Sequence, residues 1–494
     1  VRSEPSEERP LAVGRQAAIY GASNIAVRAI AFLLLPVYTR LLSPEEFGIW
    51  GVALAAGSFF SIVLLFGIEV PVSRLYFDPQ DEAERRRTYG TLLVFQLLGA
   101  LLFAAAIDLG LGRWDLFAHV PSRPYLRLAL WTAYLLNLNL IPLALMRVRQ
   151  QAGRHALVVT AAGLVSSLAP VAALLAGWRS AAGVLVGSLL GAVLMAAVYL
   201  YLVLPDVSIA FSWRTLAKTL AYSLQFVPHS LAGWALNLSD RLVLERLMTL
   251  ERVGVYTVGY TLAAGFLLIV EGAGQSWLPF FLRYEHEKPD RPRVILYTTY
   301  FVAALSYVAL AVALLGPLFV RLLLPAEYAA TEAVVVWATM GFLFFALYLI
   351  FGLTTMSLKR LTALPLLTVL AAAVNVALNF ALVPRWGILA AAITTAVSYA
   401  LLALASFFLA RRLYPVAHDY RRWWTAMAAT FALTLLASIV TLPLPLDVGW
   451  RLILLAIGWP LCLLAARFFS AGEIEQIRSA VERRWRKATA WRRR

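Results

Sequence analysis

Arg28 stands in the middle of an apolar run, between QAAIYGASNIAV and AIAFLLLPVY. Tyr20, Asn24 and Arg28 recur at intervals of four, so on a helix they form one polar stripe that drifts by about 40° per step. A guanidinium forks onto two oxygens and stays charged, which suits a phosphate. The other role for such an arginine is an ion pair between helices. A second set is Gln225, His229, Asn237 and Asp240, with Arg241 beside it. These cover about a third of one helix's circumference, and Pro228 among them is expected to kink that helix and free a carbonyl. Asp240 and Arg241 also suit a simple mutual pair near the helix end. A third set is Glu69, Glu271 and Gln275. A carboxylate within a membrane suits uptake of a proton or Na⁺, and these positions also suit plain helix-end residues. The five histidines are scattered without ligand spacing, Cys462 is single, and no phosphate-binding glycine loop is present. Metal chemistry, internal disulfides and nucleotide hydrolysis therefore have no motif to rest on.

The elements that must position these residues are membrane spans. Of 494 residues, 61% are hydrophobic and 14% charged, and mean hydropathy is +0.77. Soluble domains run nearer a quarter charged. Continuous Leu/Ala/Val-rich runs predict about fourteen transmembrane helices, at 17–39, 47–70, 88–111, 125–146, 155–177, 181–204, 219–245, 253–273, 294–316, 330–353, 361–383, 386–410, 423–443 and 448–468. They lack the period-two alternation of barrel strands.

With the N-terminus in the cytoplasm, 31 of the 43 Lys/Arg fall in cytoplasmic segments and 11 outside. This skew predicts both termini cytoplasmic. The net charge of +16 is thereby read as membrane topology and not as a nucleic-acid surface. The N-terminal VRSEPSEERP is not expected to be a signal peptide. Loops of about 10–15 residues leave no room for an extramembrane domain. The tail beyond Gly472 reads as a basic amphipathic helix on anionic lipid, with Trp485 and Trp491 at headgroup depth, or as a disordered basic tail.

An internal repeat organises the chain. RLLSPEEFGIW (Arg40 to Trp50) matches RLMTLERVGVY (Arg246 to Tyr256) at an offset of 206 without a gap. Arg40 pairs with Arg246, Gly48 with Gly254 and Trp50 with Tyr256. Six spans separate equivalent positions, so the halves share one orientation. The glycine allows close helix packing, and the glutamate near the next helix's start suits its dipole. At the same offset Arg28 matches Trp234 and Glu69 matches Gln275, so the halves differ where charge lies inside the membrane.

The opening AIYGASNIAVRAIAFLLLPVYTRLLSPEEFGIW, and YSLQFVPHSLAGWALNLSDRLVLERLMTLERVGVYTVGY later on, resemble the two lobe starts of the bacterial oligosaccharide (O-antigen-type) flippases. That family belongs to the multidrug/oligosaccharidyl-lipid/polysaccharide exporter superfamily. The resemblance covers nearly the whole chain in topology. It implies an all-α polytopic protein with two parallel six-helix lobes in a V around a central cavity, plus two extra helices. It implies cytoplasmic residues 1–16, lobes at 17–204 and 219–410 joined by 205–218, an appended pair at 411–470 and a basic tail at 471–494. It implies alternating-access transfer of a polyprenyl-pyrophosphate-linked oligosaccharide across the bacterial inner membrane, for polysaccharide, exopolysaccharide or lipopolysaccharide O-antigen assembly.

In that reading Arg28, Asn24 and Tyr20 hold the pyrophosphate, and Gln225, His229, Asn237, Asp240 and Arg241 line or gate the cavity. Glu271, Glu69 and Gln275 couple transport to H⁺ or Na⁺. There is no cofactor or metal, a monomer is expected, and a polymerase is a candidate partner. The alternatives are a multidrug/cation antiporter, a lipid II flippase, or a membrane polymerase or ligase. The antiporter is disfavoured by the positive deep charge, and the enzyme by the short external loops.

Overall fold

The computed structural model describes residues 26–475 and 479, apart from 28, 31, 80, 112, 114–116, 287–290, 358–362, 414–417 and 441; side chains at 271, 273, 275–292 and 353–363 lie outside that description. The described residues form helices and turns and no strand. The predicted spans correspond to fourteen helices. α1 contains Leu35–Leu41, α2 is Pro44–Leu65, and α3 to α6 are Glu82–Leu111, Ser122–Val148, Ala152–Leu175 and Ala181–Asp206. Then follow α7 Val227–Leu247, α8 Leu250–His286, α9 Arg291–Leu323 and α10 Thr331–Ser357. Gly387, with φ 63, breaks Ala363–Leu413 into two arms, α11 (363–386) and α12 (388–413). α13 is Tyr420–Ile439 and α14 is Leu444–Ala465.

Length and composition alone mark ten described stretches as able to cross a membrane, one of them holding both α11 and α12. The other three spans escape that test for separate reasons. α1 is described only in part, α7 carries Asp240, Arg241, Glu245 and Arg246, and α13 opens on a polar YRRWW. Large apolar side chains face outward, among them Leu102, Leu157, Leu190 and Leu366, each at least 60% exposed. Such a surface needs lipid around it.

The start of α2 follows from its sequence. The Ser43 side chain accepts from the Glu46 amide, Pro44 fills the first turn, and Glu45 and Glu46 face the helix dipole there. Its end is a left-handed break at Phe66 (φ 51) and Gly67 (φ 74). A Cβ on Gly67 would overlap the carbonyl oxygen of Ser223, so glycine here serves both backbone and contact.

The seventh span departs from expectation. The segment 219–245 is not one helix. A linker helix, Trp213–Ser223, capped by Ser212, gives way to a tight turn at Leu224–Phe226, and α7 starts afresh at Val227. Pro228 lies in the first turn of α7, where its missing N–H leaves nothing unpaired. The change of geometry thus sits in the turn before Pro228, where a proline acts: Leu224, four residues earlier, receives no N–H from it, and its carbonyl takes the Val227 amide instead of being left free.

The connection from α6 is tied down along α3. Arg86 Nη2 donates to the Pro205 carbonyl at 2.7 Å, and the Ser208 amide donates to the Arg86 carbonyl at 3.0 Å. The Thr91 hydroxyl reaches the Ala210 carbonyl at 3.3 Å.

α13 and α14 dock on α9. Asp447, 1% exposed, accepts from Arg451 Nε at 2.9 Å and from Arg321 Nη1 at 2.9 Å. Arg321 also grips Glu332 with both Nε and Nη2. Arg451 Nη1 donates to the Leu314 carbonyl at 3.1 Å. Toward the other end, Trp423 Nε1 donates to the Thr299 hydroxyl at 3.2 Å.

Candidate functional site

A cavity of about 480 Å³ lies between the two repeat halves, walled by α2, α4, α6 and α7. α2 contributes Trp50, Leu54, Ser58 and Ser61 among others. Their spacing of three and four puts them on one helical stripe. From across the cleft α7 contributes Gly233, Trp234, Asn237 and Leu238. Small residues on both walls (Ala53, Gly57, Ala129, Ala133) leave the space that larger side chains would fill. The lining is aliphatic, indole, hydroxyl and amide.

Most polar groups on the walls are held in a definite way. Ser61 Oγ donates to Asn137 Oδ1 at 2.6 Å, and Asn137 Nδ2 returns a bond to the Ser61 carbonyl at 3.1 Å. Trp234 Nε1 donates across the cleft to the Ala55 carbonyl at 2.9 Å, and its ring packs 5.1 Å from that of Phe59. Asn237 Oδ1 accepts from the Tyr399 hydroxyl at 2.7 Å. Thr132 Oγ1 is buried without a partner among the described residues.

Beside this cavity the two halves meet. α2 crosses α8 at Gly48 and Gly254, the pair equivalent in the repeat. A Cβ on Gly48 would overlap the Leu250 carbonyl, and one on Gly254 would overlap the Pro44 carbonyl. A turn on, Gly51 meets Thr257, again equivalent positions. The helices therefore touch backbone to backbone across a local two-fold.

Each half also docks the start of the other. The Glu245 carboxylate on α7, 1% exposed, accepts from the amides of Ala118 at 3.1 Å, of Val120 at 3.0 Å and of His119, all in the loop before α4. Reciprocally, Arg40 Nη2 in the last turn of α1 donates to the Leu323 carbonyl at 3.3 Å, and the Tyr328 hydroxyl donates to the Leu42 carbonyl at 3.2 Å.

The residues singled out by sequence are distributed as follows. Tyr20, Asn24 and Arg28 lie outside the described residues, as do the side chains of Glu271 and Gln275. Neighbours of Arg28 are placed. Val27 packs on Gly163 of α5, and Phe32 approaches Gly265 of α8, so the first span runs between the halves. Asn237 is on the cavity wall. Gln225 is exposed in the turn before α7 and donates to the Ala221 carbonyl at 3.0 Å. His229 is half-buried, and its Nδ1 has no partner among the described residues. Glu69 lies past the left-handed break that ends α2; Ser230 Oγ is 3.4 Å from its Oε1, and its Oε2 is buried without a described partner. Its repeat equivalent, position 275, falls within the uninterrupted α8, so the halves part company here.

Asp240 and Arg241 are not among the lining residues. They pair with one another inside the second half, at 1% and 3% exposure. Asp240 Oδ1 accepts from Arg241 N at 2.8 Å and from its Nη1 at 3.1 Å, and the Tyr256 hydroxyl donates to Oδ2. The Arg241 guanidinium lies 4.5 Å from the Tyr260 ring centre. Desolvating two charges is costly, and this many partners is what such a pair requires.

Sequence reasoning missed a companion network on α11 and α12. Asn375 Nδ2 reaches Thr395 Oγ1 at 3.4 Å, Asn379 Nδ2 donates to Asn375 Oδ1 at 3.1 Å, and Thr394 Oγ1 donates to Asn379 Oδ1 at 2.8 Å. Both asparagines are fully buried. Their spacing of four on one apolar helix was the available signal.

A family model described as polysaccharide biosynthesis protein matches residues 13–285. No curated protein sequence matches significantly. Among solved structures, the fold is similar to the lipid II flippase MurJ in an inward closed conformation, at TM-score 0.64 and 12% identity, over 88% of this chain and 99% of that one. It is also similar to an inward-facing MATE-family multidrug resistance transporter of the MOP superfamily, at TM-score 0.61 and 16% identity, over 80% and 98%. A third is the MATE multidrug transporter DinF-BH, at TM-score 0.60 and 14% identity, over 84% and 98%. The likenesses among structures are likenesses of fold, whereas the sequence model covers more than half of the chain: the protein belongs to the polysaccharide biosynthesis protein family.

Proposed function

We propose that the chain is a flippase for a polyprenyl-pyrophosphate-linked oligosaccharide, moving it from the cytoplasmic to the outer leaflet of a bacterial inner membrane by alternating access. The observation that carries this reading is the cavity walled by both halves, with a backbone-to-backbone seal made by both halves beside it. Gly48 and Gly51 form the seal on α2, and Trp50 and Leu54 already line the cavity. Opening that seal while closing the opposite end exchanges the side to which the cavity is exposed. The basic-residue skew puts the sealed end outside. Family membership supports the glycan cargo.

In this mechanism Arg28, with Asn24 and Tyr20, neutralises the pyrophosphate as the headgroup leaves cytoplasmic water. Trp234 and the hydroxyl-bearing wall of α2 face the glycan, an indole face suiting the apolar face of a sugar. The polyprenyl tail stays in the bilayer. Glu69, with one carboxylate oxygen buried and unpartnered, takes the coupling proton or Na⁺, and Glu271 and Gln275 are the further candidates. Asp240 and Arg241 hold α7 on α8 and so act on the gate through helix position. A cation antiporter needs a carboxylate facing its cargo, and the described cavity lining carries none.

The test is transport of a polyprenyl-pyrophosphate-linked oligosaccharide into vesicles by the wild type, Arg28→Ala, Arg28→Lys and Trp234→Ala. The expected result is movement by wild type, loss in Arg28→Ala and partial retention in Arg28→Lys. Normal transport by Arg28→Ala moves the pyrophosphate site elsewhere. Cation-for-proton exchange without glycan movement overturns the assignment.

A further inference from the structure

A second cavity, of about 850 Å³, lies away from the first, between the linker helix and the turn-and-helix segment 71–88. Arg214, Lys218 and Tyr222 stand at intervals of four on the linker helix, so all three face the same way. From the opposite wall Arg74 reaches over, its guanidinium 5.8 Å from the Tyr222 ring centre. Asp78 and Glu84 also line the space. None of the three cations is in a salt bridge among the described residues, although other cations nearby are: Arg85 with Glu82 and Arg149 with Asp206. Hydroxyls of Thr88, Thr215 and Thr219 complete the polar wall.

Exposed apolar side chains stand close to these lining residues in the chain. Trp213 is 74% exposed, Phe77 73% and Ile209 80%, and Phe211 and Trp213 pack edge to face at 5.0 Å. Aromatic residues beside cations on an amphipathic helix mark the depth where acyl chains meet headgroups. Three cations without ion pairs among the described residues, outnumbering the two carboxylates of the same wall and beside exposed aromatics, fit an anion that arrives attached to a lipid.

We propose that this cavity binds the phosphate headgroup of an anionic phospholipid in the leaflet it faces, with Arg74, Arg214 and Lys218 on the phosphate and Trp213 and Phe77 against the acyl region. The site stands on this cavity alone and holds whichever cargo the chain carries. Because the linker helix joins the two halves, an occupied site clamps that helix to the first half.

Hydrogen exchange of the full-length protein in nanodiscs tests this, comparing phosphatidylcholine with and without phosphatidylglycerol. Phosphatidylglycerol is expected to slow exchange of 71–79 and 213–223 roughly tenfold, since each cation near an anionic surface contributes appreciably. Arg214→Gln/Lys218→Gln loses that protection, and Lys218→Arg keeps it. Arg411→Gln/Arg412→Gln, which removes two exposed cations elsewhere, also keeps it. Equal protection in wild type and Arg214→Gln/Lys218→Gln overturns the site, as does equal loss in the Arg411/Arg412 control. Thermal unfolding in phosphatidylcholine alone separates lost binding from lost folding. If millimolar inorganic phosphate gives the same protection without phosphatidylglycerol, the ligand is a free anion and the lipid assignment falls.

Discussion

Gly48 and Gly254, 206 positions apart, each take the place in which the other's helix backbone must lie. The repeat read from sequence and the contact seen in the fold are one fact, because residues on a two-fold axis meet their own equivalents. A side chain at either position forces the helices apart. Overpacking of this kind costs about 1–3 kcal/mol, enough to move a two-state equilibrium by about fivefold to a hundredfold. Gly254→Val is therefore expected to open the seal and to impair cycling. With Cys462 replaced, Thr257→Cys reports this: its reaction with an impermeant thiol reagent rises in the Gly254→Val background. Unchanged labelling would mean that the contact does not gate.

Glu245 is expected to be the strongest single tie at that end, since one carboxylate takes three amides from the other half. Hydrogen bonds to a charged group contribute about 1.5–3 kcal/mol. Glu245→Gln replaces an acceptor oxygen by a donor facing those amides. Hydrogen exchange at Ala118 to Val120 then accelerates by about tenfold or more, with little change in the rest of α4. Exchange at the wild-type rate would show the tie to be dispensable.

The Asp240–Arg241 pair predicts a non-additive cycle. Asp240→Asn or Arg241→Gln alone leaves one buried charge without its partner, which costs about 3–5 kcal/mol. The double variant removes both charges and is expected to be more stable than either single. Additive losses in thermal unfolding would place the stabilisation in packing on Tyr256 and Tyr260 instead.

Asp447 ties Arg321 and Arg451 together where α14 meets α9. Asp447→Ala leaves both arginines without that partner and is expected to loosen α13 and α14 together. Protease cleavage at 440–444 should rise while cleavage within α1 to α12 stays unchanged. Loosening throughout the protein would refute a local docking role.

His418, just before α13, responds to pH. Burial lowers its pKa from 6.5 to about 4, and its ring packs 5.0 Å from that of Trp423. The folded imidazole stays neutral where the unfolded one already binds a proton, so this contribution is present above pH 6.5 and is lost as pH falls toward 4. Exchange of 418–424, corrected for intrinsic rate, should rise between those values, and His418→Phe should abolish the rise.

Periodicity and apolar length made the helices legible, because a bilayer leaves the backbone only helices or closed barrels, and the runs lack the barrel's alternation. The repeat was legible in Gly48 and Gly254 because backbone contact admits one residue type. The tight turn at Leu224–Phe226 was legible through Pro228, which has no N–H for the Leu224 carbonyl; the approach of the Ser223 carbonyl to Gly67, far off in sequence, had no local signal. Asp240 and Arg241 looked alike as cavity or pair residues, and only the hydroxyl of Tyr256 and the ring of Tyr260 decide for the pair. The reach of Glu245 to Ala118–Val120 had no sequence signal at all, as loop amides carry no side-chain signature.

The linker bonded to Arg86 and Thr91, and its helix seated on Gly67, leave three residues, 224–226, as the free covalent length between the halves. Such a turn rises about 2 Å per residue, and full extension gives at most about 3.6 Å. The strap can therefore lengthen by only about 5 Å. On the side where α6 runs into α7, the halves can pivot but cannot part widely. In this respect the two halves are the boards of a book on a bound spine.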